Sequence, residues 1–239
     1  QAGIEVVLLD TSQEYAEKGK AYSEGLLRKA IERGKTTEDK AAALLGLITP
    51  TTNYHDLAGC DLIIEAVFES VKIKADVTAK TEAVVPESCI FASNTSTLPI
   101  TGLAEASERP EQFIGIHFFS PVDKMPLVEV ILGKKTNDEA IARSLDYIQQ
   151  IRKTPIVVND SRGFYTSRVF STFTAEGIHM LAEGVKPALI ENAAKLVGMP
   201  VGPLAVTDEV TLELAHNIGK ETAAALGREY PADLSQEVV

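Results

Sequence analysis

A histidine and a glutamate stand in neighbouring apolar segments and could together move a proton. His117 lies between Ile116 and Phe118, and Glu129 lies inside the apolar run Leu127–Ile131. A carboxylate inside such a run needs a partner, because burying an unpaired charge is costly. Paired with an imidazole, it would fix the tautomer of the ring and stabilise the imidazolium. A general base that works near neutral pH requires both.

Each residue of this pair also has a simpler interpretation. A single histidine in a strand is more often a structural hydrogen-bonding residue than a catalytic one. Glu129 could pair with Lys124 at the surface instead. The segment Ser120–Asp123 resembles a turn, and a hairpin there would bring His117 and Glu129 together. The pairing is therefore predicted on the condition that the two segments are adjacent strands.

Other polar side chains follow predicted strands. Ser93–Ser96 follows one apolar run, Glu69, Lys72 and Lys74 follow another, and Asp10 ends the first. In dinucleotide-binding folds, small polar residues at the carboxyl ends of parallel strands line the ligand crevice, and an acid at such an end binds the adenine ribose. Ser93–Ser96 and Asp10 could instead be turn or helix-capping residues. Glu69, Lys72 and Lys74 could instead form the solvated start of a helix.

The hydrophobic pattern predicts an α/β domain followed by helices alone. Short apolar runs predict strands at 4–10, 61–67, 89–93, 113–118, 127–131 and 155–158. Helical patterns run up to about residue 34 and over 37–47, 71–85, 138–151, 163–183, 187–197 and about 207–226, with a short helix starting near Leu98. The alternation predicts a Rossmann-like, doubly wound and mostly parallel sheet in residues 1–159. Residues 160–239 are predicted to form an all-helical domain.

The composition argues against several classes of protein. The net charge of −11 disfavours nucleic acids and anionic membranes as partners. Cys60 and Cys89 are far apart, which disfavours a disulfide framework or a zinc site, and no metal site is predicted. No apolar run approaches the roughly 18 residues of a membrane span. A signal peptide is not visible, and the lack of an initiator Met indicates a fragment of a longer protein.

Five segments, taken in order, resemble the successive signatures of 3-hydroxyacyl-CoA dehydrogenases. They are Glu65–Glu69, Phe91–Ser96, Gly115–Val122, Met125–Val130 and Gly163–Arg168. The chain is most similar to the dehydrogenase region of multifunctional fatty-acid β-oxidation α subunits. In those proteins serine rather than asparagine follows the His-Phe-Phe segment, and Gly-Phe-Tyr-Thr opens the helical domain.

The resemblance implies NAD-dependent oxidation of (3S)-3-hydroxyacyl-CoA to 3-oxoacyl-CoA. His117 would be the general acid/base, Glu129 would orient it, and Ser96 would bind the substrate oxygen near the nicotinamide. Asp10 would hold the adenosine ribose and favour NAD over NADP. The implied cofactor contacts are Asp10, Val67, Phe68, Glu69, Lys74, Ser96 and Ser120. The implied substrate contacts are Ser96, Ser120 and Ser167.

The resemblance also implies a homodimer or a place in a multifunctional β-oxidation complex. The implied location is the bacterial cytoplasm, with mitochondrion and peroxisome as alternatives. The chain departs from the family pattern where Ser120 and Ser167 replace asparagines, and the glycine-rich loop and its strand are missing. If the molecule begins at Gln1, we expect poor NAD binding and exposed sheet edges.

Two other functions remain open at this stage. Related dehydrogenases of small hydroxyacids have the same fold class, but they generally use a lysine as the acid/base, whereas this chain carries the His117 and Glu129 pair. The second alternative is a non-catalytic, truncated domain that serves dimerisation or complex assembly. A domain freed from catalysis would have no reason to keep a buried ionisable pair.

Overall fold

The computed structural model describes residues 2–210 and residue 227, and its elements follow the hydrophobic pattern of the sequence. The strands are β1 (Val6–Leu9), β2 (Ile48–Thr51), β3 (Leu62–Glu65), β4 (Ile90–Ser93), β5 (Phe113–Phe118), β6 (Leu127–Leu132) and β7 (Thr154–Asn159). The helices are α1 (Gln13–Glu32), α2 (Glu38–Gly46), α3 (Val71–Glu82), α4 (Ile100–Leu103), α5 (Asp138–Gln150), α6 (Thr166–Ala182), α7 (Pro187–Leu196) and α8 (Pro203–Val210). Short 3-10 turns lie at Tyr54–Leu57, Ala104–Ala106 and Pro110–Gln112.

Five strands form one sheet in the order β3, β4, β5, β6, β7. The first three are parallel to one another, β6 is antiparallel to β5, and β7 is parallel to β6. Alternate residues of these strands point to opposite faces. One face packs with α5, and the buried cluster between them contains Ile90, Ala92, Ile114, Ile116, Val128, Val130, Ala140 and Ile148. The other face packs with α4, and the buried cluster on that side contains Phe91, Ile100, Leu103, Ala104, Phe113, Ile131 and Phe164. Helices on both faces confirm the predicted Rossmann-like fold class.

Strand β2 was not predicted from the sequence. It pairs in parallel with β1 in a separate two-stranded sheet, where Pro50 lies opposite Leu8. A proline lacks the backbone N–H that a ladder needs, so Ile48–Thr51 does not have the pattern of a strand. Proline is tolerated here because the sheet has two strands among the described residues, so β2 is an edge strand and its other side has no strand there that needs a donor from Pro50.

Gly115 lets α4 approach the sheet closely next to the pair of strands β5 and β6. A Cβ at this position would lie 2.8 Å from side-chain atoms of both Ile100 and Ile131, which are fully buried. We expect Gly115→Ala to lower the free energy of unfolding by about 1–3 kcal/mol, because the core has no room for the added methyl group. Urea denaturation followed by circular dichroism would measure the change.

Gly102→Ala is the matched control for that substitution. A Cβ at Gly102 meets nothing within 4 Å, and the residue lies in α4. Alanine is favoured over glycine inside a helix by about 1 kcal/mol, so this variant should be as stable as the parent or slightly more stable. Equal stability of the two variants would contradict the close approach at Gly115.

The chain divides into two compact units, Gln1–Phe164 and Tyr165–Val239, and the hydrophobic pattern predicts a boundary a few residues earlier, after Asn159. The intervening residues stay with the first unit because they bond to it. The Asp160 carboxylate accepts hydrogen bonds from the first backbone N–H groups of α4, at 2.9 and 2.8 Å. Phe164 is 2% exposed and packs in the cluster beneath α4.

The second unit contains α6, α7 and α8, which pack on one another. The predicted helix over about 207–226 lies largely outside the described residues. In the part of the chain that the structure describes, no helix combines the length and apolar character that crossing a membrane would require. The same residues contain no group of three or more metal-binding side chains, and Cys60 and Cys89 are free thiols.

Candidate active site

His117 and Glu129 face each other across the antiparallel strands β5 and β6. The two are register partners, and Nδ1 of His117 lies 2.8 Å from Oε2 of Glu129. The Glu129 side chain is fully buried, and that of His117 is 9% exposed. Because a carboxylate only accepts hydrogen bonds, Nδ1 of the neutral ring carries the hydrogen and donates it. Nε2 therefore keeps the lone pair that can accept a proton.

The register of the two strands creates this pair. Residues directly opposite each other in antiparallel strands point to the same face, so the side chains of His117 and Glu129 meet without a special loop. The predicted hairpin is confirmed, since Gly115–Phe118 pairs with Val128–Ile131. The alternative pairing of Glu129 with Lys124 is wrong, because Lys124 is exposed in the connecting loop while Glu129 is buried.

Two aromatic rings surround the imidazole of His117. The ring centroid of Phe119 lies 4.5 Å away, and Phe164 presents an edge at 6.0 Å. Phe164 has a φ of 48°, a backbone conformation that bulky residues rarely adopt and that tends to occur at functional sites. Its N–H donates to Ser161 at 3.0 Å, and the N–H of Gly163 donates to Thr97 at 3.3 Å. These two hydrogen bonds fix the backbone that places the Phe164 ring beside the imidazole.

The loop after β4 lies beside the end of β5. Ser93 pairs with Gly115, so β5 continues past the last residue of β4 to reach His117. Asn94 Oδ1 accepts a hydrogen bond from the backbone N–H of Phe118 at 2.8 Å, which ties the loop to β5. The same loop carries Ser96. The structure therefore places the predicted Ser96 at the same end of the sheet as the predicted dyad.

The charged residues after β3 have two different environments. Lys72 is exposed, as a solvated helix start predicts. The Lys74 side chain is 3% exposed and forms ion pairs with Glu65 at 3.0 Å and Glu69 at 3.2 Å. Glu69 in turn accepts hydrogen bonds from the backbone N–H groups of Ser96 at 3.0 Å and Thr97 at 3.3 Å. A solvated helix start is therefore the wrong interpretation for Lys74.

The pKa of the Glu69 carboxyl lies below its ordinary value. Partial burial alone would raise the pKa of this carboxyl, but the Thr95 hydroxyl, the Lys74 ammonium and the Ser96 N–H hold the pKa below its usual value. A carboxyl with a lowered folded-state pKa adds stability that is fully present above the unfolded-state pKa. That stability is lost as the pH falls through the folded-state value. The loop that carries Ser96 is thus held by a carboxylate that stays ionised at neutral pH.

Of the predicted cofactor residues near the ends of β1 and β3, Asp10 and Phe68 are exposed, whereas Lys74 is buried. Asp10 is exposed directly after β1, and its Oδ1 accepts from the N–H of Thr11 at 2.6 Å. Phe68 is 84% exposed, and Val67 is half-buried beside it. An exposed carboxylate can accept hydrogen bonds from ribose hydroxyls. An exposed aromatic ring offers a flat apolar surface to a cofactor. This set of groups fits a dinucleotide.

The remaining predicted residues lie in different parts of the chain. Ser120 is exposed in the loop between β5 and β6, two peptide bonds beyond the strand that carries His117. Ser167 is half-buried in the first turn of α6, which belongs to the second unit. Their predicted contacts with substrate stay predictions.

Three residues shape the site although none of them has an individual role in the predictions from sequence. Glu65 is buried at the end of β3, Asn94 bonds to β5, and Phe164 packs against the imidazole. The sequence does indicate that Glu65 is buried, because this carboxylate ends an apolar run, just as Glu129 lies inside one. The contacts of Asn94 and Phe164 depend on the three-dimensional arrangement, and no pattern in the sequence indicates them.

The sequence matches one family over nearly its whole length. Residues 1–161 match the NAD-binding domain of 3-hydroxyacyl-CoA dehydrogenase, and residues 163–239 match its C-terminal domain. A fatty acid oxidation complex subunit alpha from Psychrobacter arcticus is 42% identical over 211 residues, which are 88% of this chain and 29% of that protein. The subunit from a Shewanella species is 40% identical over 97% of this chain and 33% of its own length. The chain thus spans about a third of these curated relatives.

Two solved structures of dehydrogenases resemble the chain over at least 98% of its length. The (S)-3-hydroxybutyryl-CoA dehydrogenase of Ralstonia eutropha has a TM-score of 0.92 at 34% identity, covering 99% of this chain and 85% of that one. A 3-hydroxybutyryl-CoA dehydrogenase of Escherichia coli has a TM-score of 0.90 at 30% identity, covering 98% of this chain and 50% of that one.

Proposed function

Because the chain belongs to the 3-hydroxyacyl-CoA dehydrogenase family, we propose that it oxidises (3S)-3-hydroxyacyl-CoA to 3-oxoacyl-CoA in fatty-acid β-oxidation. The observation that carries the proposal is the 2.8 Å contact between His117 and the buried Glu129. A carboxylate-bound imidazole whose Nε2 can accept a proton is suited to deprotonating a hydroxyl group. The cofactor of this family is NAD.

In the forward reaction, Nε2 of His117 takes the proton of the substrate 3-hydroxyl. When bound, NAD supplies the acceptor for the hydride that leaves C3, and the C3–O single bond becomes a carbonyl. Glu129 holds the ring in the required tautomer and stabilises the imidazolium that forms. Ser96 donates a hydrogen bond to the substrate oxygen. Ser120 and Ser167 are proposed to contact the substrate further along the acyl-CoA.

The reverse reaction is the direct test of the proposed activity. Acetoacetyl-CoA and NADH are given to the protein, and the loss of NADH absorbance is followed. Turnover that depends on both reactants supports the dehydrogenase. A protein that consumes no NADH with any 3-oxoacyl-CoA would point to the alternative, a non-catalytic domain that serves dimerisation or complex assembly.

Asp10 is proposed to set the preference for NAD over NADP. A carboxylate at the end of β1 accepts hydrogen bonds from ribose hydroxyls and repels a 2′-phosphate. We expect Asp10→Ala to reduce the ratio of kcat/KM for NADH over NADPH by about tenfold or more, which corresponds to about 1.4 kcal/mol of discrimination. Initial rates with each cofactor give the ratio.

Glu14→Ala is the control for the loss of one negative charge in this region. Glu14 is exposed in the first turn of α1, close in sequence to Asp10, and it has no proposed contact with the cofactor. The Glu14→Ala variant should leave the preference for NADH over NADPH unchanged. The same unchanged preference in Asp10→Ala would remove Asp10 from the site.

The relatives also support a proposal about assembly and location. The proteins named fatty acid oxidation complex subunit alpha are bacterial and about three times as long as this chain. We propose that this chain acts as part of a multifunctional β-oxidation protein or as a homodimer, in the bacterial cytoplasm. Size-exclusion chromatography with light scattering would distinguish a dimer from a monomer.

A further inference from the structure

Glu65, the last residue of β3, is a buried carboxylate with no part in the reaction proposed above. It is 5% exposed, and Nζ of Lys74 lies 3.0 Å from both of its oxygens. It also accepts hydrogen bonds from the Ser93 hydroxyl and, at 3.2 Å, from the N–H of Val67. The carboxylate therefore joins the ends of two adjacent strands to the first turns of α3.

Lys74 is held entirely by protein groups. Besides Glu65, its ammonium contacts Glu69 Oε2 at 3.2 Å and the carbonyl of Val67 at 3.4 Å. An ammonium has three hydrogens, and four oxygen atoms of these three residues lie within 3.4 Å of it to accept them. The Glu69 side chain is 34% exposed and the Glu65 side chain only 3%. Glu65 is therefore the less hydrated anchor of the ammonium.

Glu69 uses its two oxygens for different purposes. Oε2 receives Lys74, whereas Oε1 accepts from the Thr95 hydroxyl at 2.5 Å and from the N–H groups of Ser96 and Thr97. Any rotation of this carboxylate away from Lys74 would also release the loop. The position of the loop thus depends on the position of Lys74, which in turn depends on Glu65.

We infer that Glu65 is a positioning residue for the reaction: it anchors Lys74, Lys74 anchors Glu69, and Glu69 holds the loop that carries Ser96. The effect on the reaction rests on the proposed function, in which Ser96 binds the substrate oxygen. The effect on the position of the loop is independent of the proposed function. A displacement of about 1 Å at a group that positions substrate can cost on the order of 10²-fold in rate.

The first test measures the loop without any turnover. Hydrogen exchange of the Ser96 and Thr97 amides is compared between the parent protein and Glu65→Gln, which keeps the shape of the side chain and removes its charge. We expect both amides to exchange about tenfold faster or more, because the bonds to Glu69 open more often. The amides of Phe113–His117 in β5 should not change, whereas Phe118 is left out because its N–H bonds to Asn94 in the loop. Unchanged exchange at Ser96 and Thr97 would overturn the inference.

The second test asks whether Glu65 acts through Ser96. Glu65→Gln is expected to lower kcat by about 10–100-fold in the parent, and by less than about threefold when Ser96 is already alanine. Effects that multiply in the two backgrounds would overturn the inference, since they would mean that Glu65 acts independently of Ser96. NADH affinity, measured by fluorescence in each variant, separates this effect from lost cofactor binding.

Glu82→Gln is the matched control. Glu82, at the other end of α3, clamps another loop in the same manner: its carboxylate accepts from the Ser107 hydroxyl and, at 2.8 Å, from the N–H of Glu108. This variant should speed amide exchange at Glu108 and leave kcat unchanged. An equal loss of kcat in Glu82→Gln would overturn the inference, because it would indicate a general effect of loosening the domain.

A second variant covers the case in which Glu65→Gln does not fold. Glu65→Gln with Lys74→Met removes both buried charges together, and paired removal is far better tolerated than leaving one charge unpaired. The folded double variant should still show fast exchange at Ser96 and Thr97. If it recovers both slow exchange and full kcat, the ion pair is only structural and the inference is overturned. If the parent itself consumes no NADH, the proposed function fails, while amide exchange still decides whether Glu65 holds the loop.

Discussion

His117→Gln is expected to lower kcat by about 10²–10⁴-fold, the usual contribution of a positioned general base. Glutamine is similar in size and can still hydrogen-bond to Glu129, so the buried carboxylate keeps a partner. It has no group that accepts a proton near neutral pH. The affinity for NADH, measured by fluorescence titration, should remain almost unchanged because the predicted cofactor contacts lie on other elements.

His55→Gln is the control for this substitution. His55 is exposed in the 3-10 turn Tyr54–Leu57 and has no proposed role in the reaction. The His55→Gln variant should retain full activity. A loss of less than tenfold in His117→Gln would rule out the imidazole as the acid/base. A loss of NADH affinity as large as the loss of kcat would instead indicate damage to the cofactor site.

Glu129→Gln is expected to produce the second large loss, of about 10²–10³-fold in kcat, similar to the loss on removing a preorganised electrostatic group from an active site. The amide fills the same space in the core, but it carries no charge to stabilise the imidazolium. It can also present its NH₂ group to Nδ1, which would place the ring hydrogen on Nε2. Initial rates measured with saturating substrates give the change in kcat.

The two substitutions together test whether His117 and Glu129 form one unit. Residues that act as a unit have strongly non-additive effects on catalysis. The double variant should therefore be about as slow as His117→Gln alone. If the two losses multiplied, Glu129 would contribute to the reaction independently of the histidine, and the proposed arrangement would be wrong.

The sequence predicts the elements of the site better than the contacts between them. The pairing of His117 with Glu129 could be predicted because each stands in an apolar run and a turn lies between them. Both signals are local. The strand at Ile48–Thr51 could not be predicted, because it is only four residues long and a proline interrupts it.

The contacts of Lys74 show why the rest of the site needed the structure. A lysine near the start of a helix is normally solvated, and no local pattern indicates that Lys74 is buried between Glu65 and Glu69. Its partners come from the end of β3 and from the turn before α3. Burial of that kind depends on how the strands stack side by side, which short segments of sequence do not encode. The packing of Phe164 into the first unit is another contact of this kind.

The hairpin formed by β5 and β6 holds the His117–Glu129 pair in its paired strands and carries Ser120 in its exposed loop. The dyad is aligned by the paired residues Gly115–Phe118 and Val128–Ile131, whereas residues 120–126 lie beyond the ladder and are exposed. Substitutions and changes of length in an exposed hairpin loop cost little, because the loop adds few contacts to the core. Under the proposed function, the loop that carries Ser120 can therefore differ in sequence and length to suit another acyl group, without moving His117 and Glu129 away from each other.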